Sequence, residues 1–182
     1  MSVDSILASI QSSALAEWMR DTNPAMQVVE STHVLAAVTV LGTVLIADVR
    51  LLGLADSQRA FTRIGRETLP LTWAAFALAV VTGSLMFTTS AATYFANAAF
   101  QLKALALLGA GLNMALFQLF TARGIAAWDS RTPPRAARVA GLVSLLLWAA
   151  VVLLGRWIGF TKGYDFTIPP GVELGLGFPA AP

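Results

Sequence analysis

Long apolar stretches alternate along this chain with short polar segments rich in arginine. The apolar runs cover about residues 26–47, 69–87, 99–120 and 139–160. Each has roughly the 20 residues that an α-helix needs to cross about 30 Å of hydrocarbon. In lipid a helix satisfies its own backbone, and a lone strand does not. The pattern therefore predicts an all-α fold, an integral membrane four-helix bundle over residues 24–160. Ahead of it, Asp4–Arg20 places Ile6, Leu7, Ile10, Leu15 and Trp18 roughly on one side. That is the mark of a short interfacial amphipathic helix, with Asp4 or Ser5 as its cap, in a segment 1–23 closed by the break at Asp21–Pro24. Residues 56–68 predict a second short helix. The tail, 161–182, is rich in Gly and Pro and reads as an extended segment whose Tyr164, Phe166 and Ile168 suit docking.

Composition strengthens the membrane reading. Of the 182 residues, 57% are hydrophobic and 12% charged, and the mean hydropathy is +0.71. A soluble domain carries about 25% charged residues, so the partner implied is the lipid bilayer. A net charge of +2 gives no reason to invoke nucleic acid. The placement of charge says more than its sum. Arg50, Arg59, Arg63 and Arg66 lie between the first two runs, and Arg123, Arg131, Arg135 and Arg138 between the last two. The segment from Thr88 to Asn97 has no basic residue. Eight of the twelve basic residues thus mark one side, which the positive-inside rule makes cytoplasmic. Both termini are then expected on the periplasmic side of a bacterial-type inner membrane. No Lys or Arg precedes Arg20, so the first run is expected to stay as an anchor. Trp18, Trp73, Trp128 and Trp157 fall near span ends, where aromatic belts form, and Trp148 falls within a span as a packing residue.

Small residues at four-residue spacing predict close helix packing, as in Thr39, Thr43 and Ala47 and in Ala75, Ala79 and Gly83. Ionisable groups inside the runs are costly and draw attention as functional positions. Glu30 and His33 share a face one turn apart, while Lys103 and Arg156 lie at similar depth on later spans. These four form a candidate polar cluster, either a ligand site centred on His33 or an internal pairing of Glu30 with Lys103 or Arg156. At the other end, Asp48 and Arg50 are read as capping and anchoring a helix end, and Asn113 and Gln118 as making interhelical hydrogen bonds. One histidine and no cysteine exclude a zinc site of ordinary composition. No strand-plus-glycine loop suits a phosphate, and no Ser–His–acid arrangement stands out.

Three stretches carry a family resemblance. His33-Val-Leu-Ala-Ala-Val leading to Asp48-Val-Arg50-Leu-Leu-Gly53, Leu69-Pro70-Leu-Thr-Trp73 leading to Thr82-Gly83-Ser-Leu-Met86-Phe87, and Lys103-Ala-Leu leading to Asn113-Met-Ala-Leu-Phe117-Gln118 resemble small, uncharacterised bacterial membrane proteins. The likeness covers roughly residues 25–160. It extends faintly to copper-resistance CopD-like proteins. It implies an early histidine in the first span and, in many relatives, a second histidine where this chain has Gln118.

Function is left between classes. The first is a non-catalytic membrane subunit or scaffold, assembled with other subunits or with copies of itself. The second is a haem b or copper protein with His33 as metal ligand, Met26 or Met86 as a second ligand, and Arg156 balancing anionic groups. A bis-histidine haem would need His33 of a second copy. The third is a component of a small-solute transporter.

Overall fold

The computed structural model describes residues 2–55 and 60–161. Among them every regular element is helical: α1 (Val3–Gln11), α2 (Ala14–Asp21), α3 (Asn23–Leu52), α4 (Phe61–Thr89), α5 (Ala91–Ala96), α6 (Ala98–Leu116) and α7 (Arg135–Thr161). Four stretches are long and apolar enough to cross a membrane: Pro24–Leu52, Phe61–Thr89, Ala98–Ala127 and Arg135–Thr161. Their exteriors expose large apolar side chains, among them Leu35, Leu105, Leu108, Leu146 and Leu153. Water would make that surface costly, and hydrocarbon does not.

The expected single N-terminal helix is two. Ser13 accepts a hydrogen bond from Ala16 N and starts α2, just as Ser2 accepts from Ser5 N to start α1. The caps are therefore serines on either side of the break, not Asp4 or Ser5. Arg20 donates to the carbonyls of Gln11 (3.0 Å) and Thr89 (3.2 Å), which pins the pair to the C-terminus of α4. Leu7, Ala16 and Met19 are the buried face.

α3 packs against α4 and α7, and α7 packs against α6. No extended packing joins α4 to α6. The α3–α4 seam uses Ala36, Val40 and Thr43 against Ala75 and Thr82, all buried, with Thr72 Oγ1 donating to Thr43 Oγ1 at 2.8 Å. Thr43, Ala75 and Ala79 thus serve as the small-residue pattern predicts, while Thr39 turns its hydroxyl back to the Leu35 carbonyl. The predicted helix over 56–68 is instead, from Phe61 on, the first turns of α4. Residues 56–59 with Arg59, and the docking tail from residue 162 on, lie outside the described residues.

The third span does not run straight. After Leu116 it widens into a π-turn, Phe117–Thr121, and then tightens into a 3-10 segment, Ala122–Ala127, where Gly124 leaves helical geometry. The unwinding brings Phe117 and Trp128 onto Phe61, with ring centroids 5.8 and 5.7 Å away. Trp128 is only 7% exposed. It packs into this cluster with Leu51 and Ala137 and is no interfacial belt residue. Trp18, Trp73 and Trp157 are exposed, and Trp148 meets Phe76 edge to face.

Candidate functional site

The long α3–α4 seam opens one position for a bulky polar side chain. His33 Nδ1 lies 2.9 Å from the Ala79 carbonyl oxygen and 3.1 Å from Thr82 Oγ1. A carbonyl only accepts, so Nδ1 carries a proton and donates. The Thr82 hydroxyl donates its own hydrogen to the Leu78 carbonyl at 2.7 Å, leaving its oxygen to accept from the ring. In the neutral imidazole this fixes Nε2 as the lone-pair nitrogen. Gly83 makes the seat possible, because a Cβ there would stand 3.0 Å from the imidazole Cε1.

A second glycine lies beside a second polar group. Lys103 on α6 lays its Nζ against Gly155 of α7, 3.4 Å from where a Cβ would be. The imidazole sits within electrostatic reach of both Lys103 and Glu30. Among the described residues the ion pair that forms is Arg63–Glu67, at 3.0 Å, so Glu30 pairs with neither Lys103 nor Arg156. Arg156 is exposed, with its guanidinium 4.7 Å from the ring centre of Phe160. Of the four ionisable residues singled out, the structure turns His33 and Lys103 inward, leaves Glu30 exposed beside them, and sends Arg156 to the exterior. Met26 and Met86 are half-buried, and neither thioether hydrogen-bonds to the imidazole. Among the described residues no three His, Cys, Asp or Glu side chains gather as a metal set. One chain therefore offers a metal one nitrogen ligand, and the rest of a coordination shell has to come from elsewhere.

An aromatic bridge lies one turn beyond the pair. Phe87 follows Gly83 by one turn on α4, and Phe100 precedes Lys103 by one turn on α6. Their rings stack at 5.5 Å and 22°, with Tyr94 tilted against both. This contact joins two helices that otherwise do not pack along their lengths. Nothing in the spacing of Phe87 and Phe100 reveals it, since they are distant in sequence.

At the opposite end the Asp48-x-Arg50-x-x-Gly53 segment divides its work. Asp48 is 3% exposed, hydrogen-bonds to Ser144 of α7, and keeps Oδ2 buried without a partner among the described residues. Arg50, at 0% exposure, donates to the carbonyls of Asp129 (2.9 Å) and Arg131 (3.1 Å). Gly53, with φ 77°, ends α3 in a left-handed turn that other residues resist. The two charged residues thus do not join in capping one helix end. They tie α3 to two different elements. Asn113 Nδ2 donates to the Ala140 carbonyl at 3.0 Å, an interhelical bond of the expected kind. Gln118 sits exposed on the π-turn and makes none among the described residues.

Fold and exterior define the class: an all-α protein whose four apolar helices make it a multi-pass membrane protein. Within that class, residues 24–161 match the model of a family of unknown function, DUF6644, and the chain belongs to that family. No curated protein and no solved structure matches it.

Proposed function

We propose that this chain is a non-catalytic membrane subunit of a bacterial-type inner membrane that lodges in a larger homo- or hetero-oligomeric assembly. Both termini lie on the periplasmic side, and the Arg50 end is cytoplasmic. The observation that carries the reading is how the polar chemistry is spent. Arg50, Thr43, Thr72 and Asn113 all bond to the chain itself, so they brace helices. The exterior is left as continuous apolar surface that accepts lipid or neighbouring spans equally well. The experiment is purification from native membranes in mild detergent, followed by native mass measurement. Stoichiometric co-purification of further subunits or copies supports the reading, and a lone monomer at every detergent concentration sinks it.

One observation favours a second reading, that of a haem b or copper site. A carbonyl bond at Nδ1 is the arrangement that presents Nε2 to a metal. A bis-histidine haem would then take its second ligand from His33 of a second copy. A spectrum from 350 to 650 nm with copper analysis decides it: a Soret band or bound copper lost in His33→Ala supports it, and a colourless, metal-free protein excludes it.

A further inference from the structure

The end of the bundle that holds Arg50 carries more positive charge than its carboxylates offset. Among the described residues there, Glu67 pairs with Arg63, Asp129 accepts from Thr62 at the start of α4, and Asp48 is buried. Arg66, Arg123, Arg131, Arg135 and Arg138 are exposed, and among the described residues none of their side chains has a hydrogen bond or an ion pair. Arg135 and Arg138 lie one turn apart at the start of α7, so they share a face. No acidic residue stands in that first turn. The same face continues along the helix through Val139, Leu142, Leu146 and Leu153, all exposed. With 3.6 residues per turn, these positions and the two arginines fall within about 100° of one another. The 27 residues of α7 reach about 40 Å, whereas hydrocarbon is about 30 Å thick. The apolar ladder begins at Val139, so the turn before it, with both arginines, stands at headgroup depth.

We propose that this ridge of α7 holds an anionic phospholipid of the phosphatidylglycerol kind, with its phosphate on Arg135 and Arg138 and its acyl chains along Leu142, Leu146 and Leu153. A guanidinium suits that headgroup because its planar donors meet phosphate oxygens two at a time. Arg131, four residues before Arg135, adds to the local positive field. Charge selects the headgroup: a zwitterionic lipid brings its own ammonium against arginines that no carboxylate offsets, and an anionic lipid does not. The ladder selects a lipid over a free phosphate ester, which gains nothing from the leucines and meets the exposed arginines through screening salt. A neighbouring protein span seated on the ridge would cover the leucines and leave both arginines without an anion. Such binding goes beyond the subunit reading and does not depend on it. It also holds for either orientation, since the ridge reads the lipid and not the side of the membrane.

The test is lipid retention by the purified full chain in mild detergent, read by native mass measurement with phosphatidylglycerol and phosphatidylcholine offered at equal concentration. Phosphatidylglycerol is expected to be kept in preference. Its affinity is expected to fall about tenfold or more when Arg135→Gln and Arg138→Gln are combined, since each arginine near a lipid surface contributes roughly fivefold. Phosphatidylcholine retention is expected to stay as in the parent. Arg156→Gln, at the other end of α7 where the guanidinium lies over Phe160, is expected to bind as the parent does. Photo-activatable phosphatidylglycerol on the parent protein, followed by peptide mapping, needs no variant, and label is expected on α7 between Arg135 and Leu146. Equal retention of the two lipids, unchanged affinity in the combined variant, an equal loss in Arg156→Gln, or label confined to other helices overturns the proposal. Displacement of phosphatidylglycerol by glycerol phosphate at a similar concentration overturns it too, because the site would then read a free phosphate.

Discussion

Single residues decide the geometry at both ends of the bundle through the absence of side chains. Gly83 gives its volume to the His33 ring, and Gly141 lets α7 approach α3 until a Cβ would sit 2.9 Å from Leu51 Cβ. Gly83→Ala is therefore expected to displace the imidazole and lower stability by about 1–3 kcal/mol, the usual cost of overpacking. Thermal unfolding in detergent measures the stability, and the His33 ring resonances report the displacement. Gly111, with nothing within 4 Å of its Cβ position, is the matched control: Gly111→Ala is expected to change little. Arg50 is a different case, a buried cation held by two loop carbonyls. Arg50→Met removes the charge but leaves those carbonyls without their donor. It is expected to cost about 3 kcal/mol or more, because each bond to a charged group contributes roughly 1.5–3 kcal/mol.

At the scale of elements, the loop before α7 starts α4. Asp129 accepts from Thr62 N at 2.8 Å and from Thr62 Oγ1 at 2.6 Å, and its carbonyl accepts from Phe61 N at 3.0 Å. A carboxylate is favoured there because helix N-termini leave N–H groups unpaired and carry partial positive charge. The Thr62 hydroxyl and then its backbone N–H hold the Asp129 carboxyl below its ordinary range. A depressed folded-state pKa gives stability that is full above the unfolded value, about 3.9. It is lost as pH falls through the lower folded value. Melting temperature is expected to fall more steeply with acid below that point in the parent than in Asp129→Asn, which is already less stable at neutral pH. Equal slopes would remove Asp129 from the account. The helices themselves were legible in the apolar runs of the chain, and so was the Asn113 bond. The π-turn at Phe117–Thr121 was not, since it answers to Phe61 and Trp128, which lie far from it in sequence or beyond the span.

For the whole molecule, the antiparallel spans gather two chemically different ends. One holds His33, Lys103 and the aromatic bridge. The other holds Arg50, Asp129 and most of the arginines. The chain has no cysteine, so single cysteines report sidedness without background. In intact cells a membrane-impermeant maleimide is expected to label Thr93→Cys and to leave Arg131→Cys unlabelled until the membrane is opened. The reverse pattern would invert the proposed orientation while leaving the fold intact.

The apolar runs by themselves determined an all-α chain with four membrane-crossing helices, because backbone satisfaction in hydrocarbon is a local requirement that each segment meets alone. They also singled out His33 and Lys103, because an ionisable group among apolar neighbours is visible in one dimension. Which polar groups meet was decided only in three dimensions. Gly83 acts as a slot solely because α3 crosses α4 at that turn, and Lys103 meets Gly155 because α6 crosses α7. Arg156, alike in depth and charge to Lys103, faces outward because its position on α7 turns it away from the bundle. A helix sequence sets how deep a residue lies, and packing sets the direction it faces.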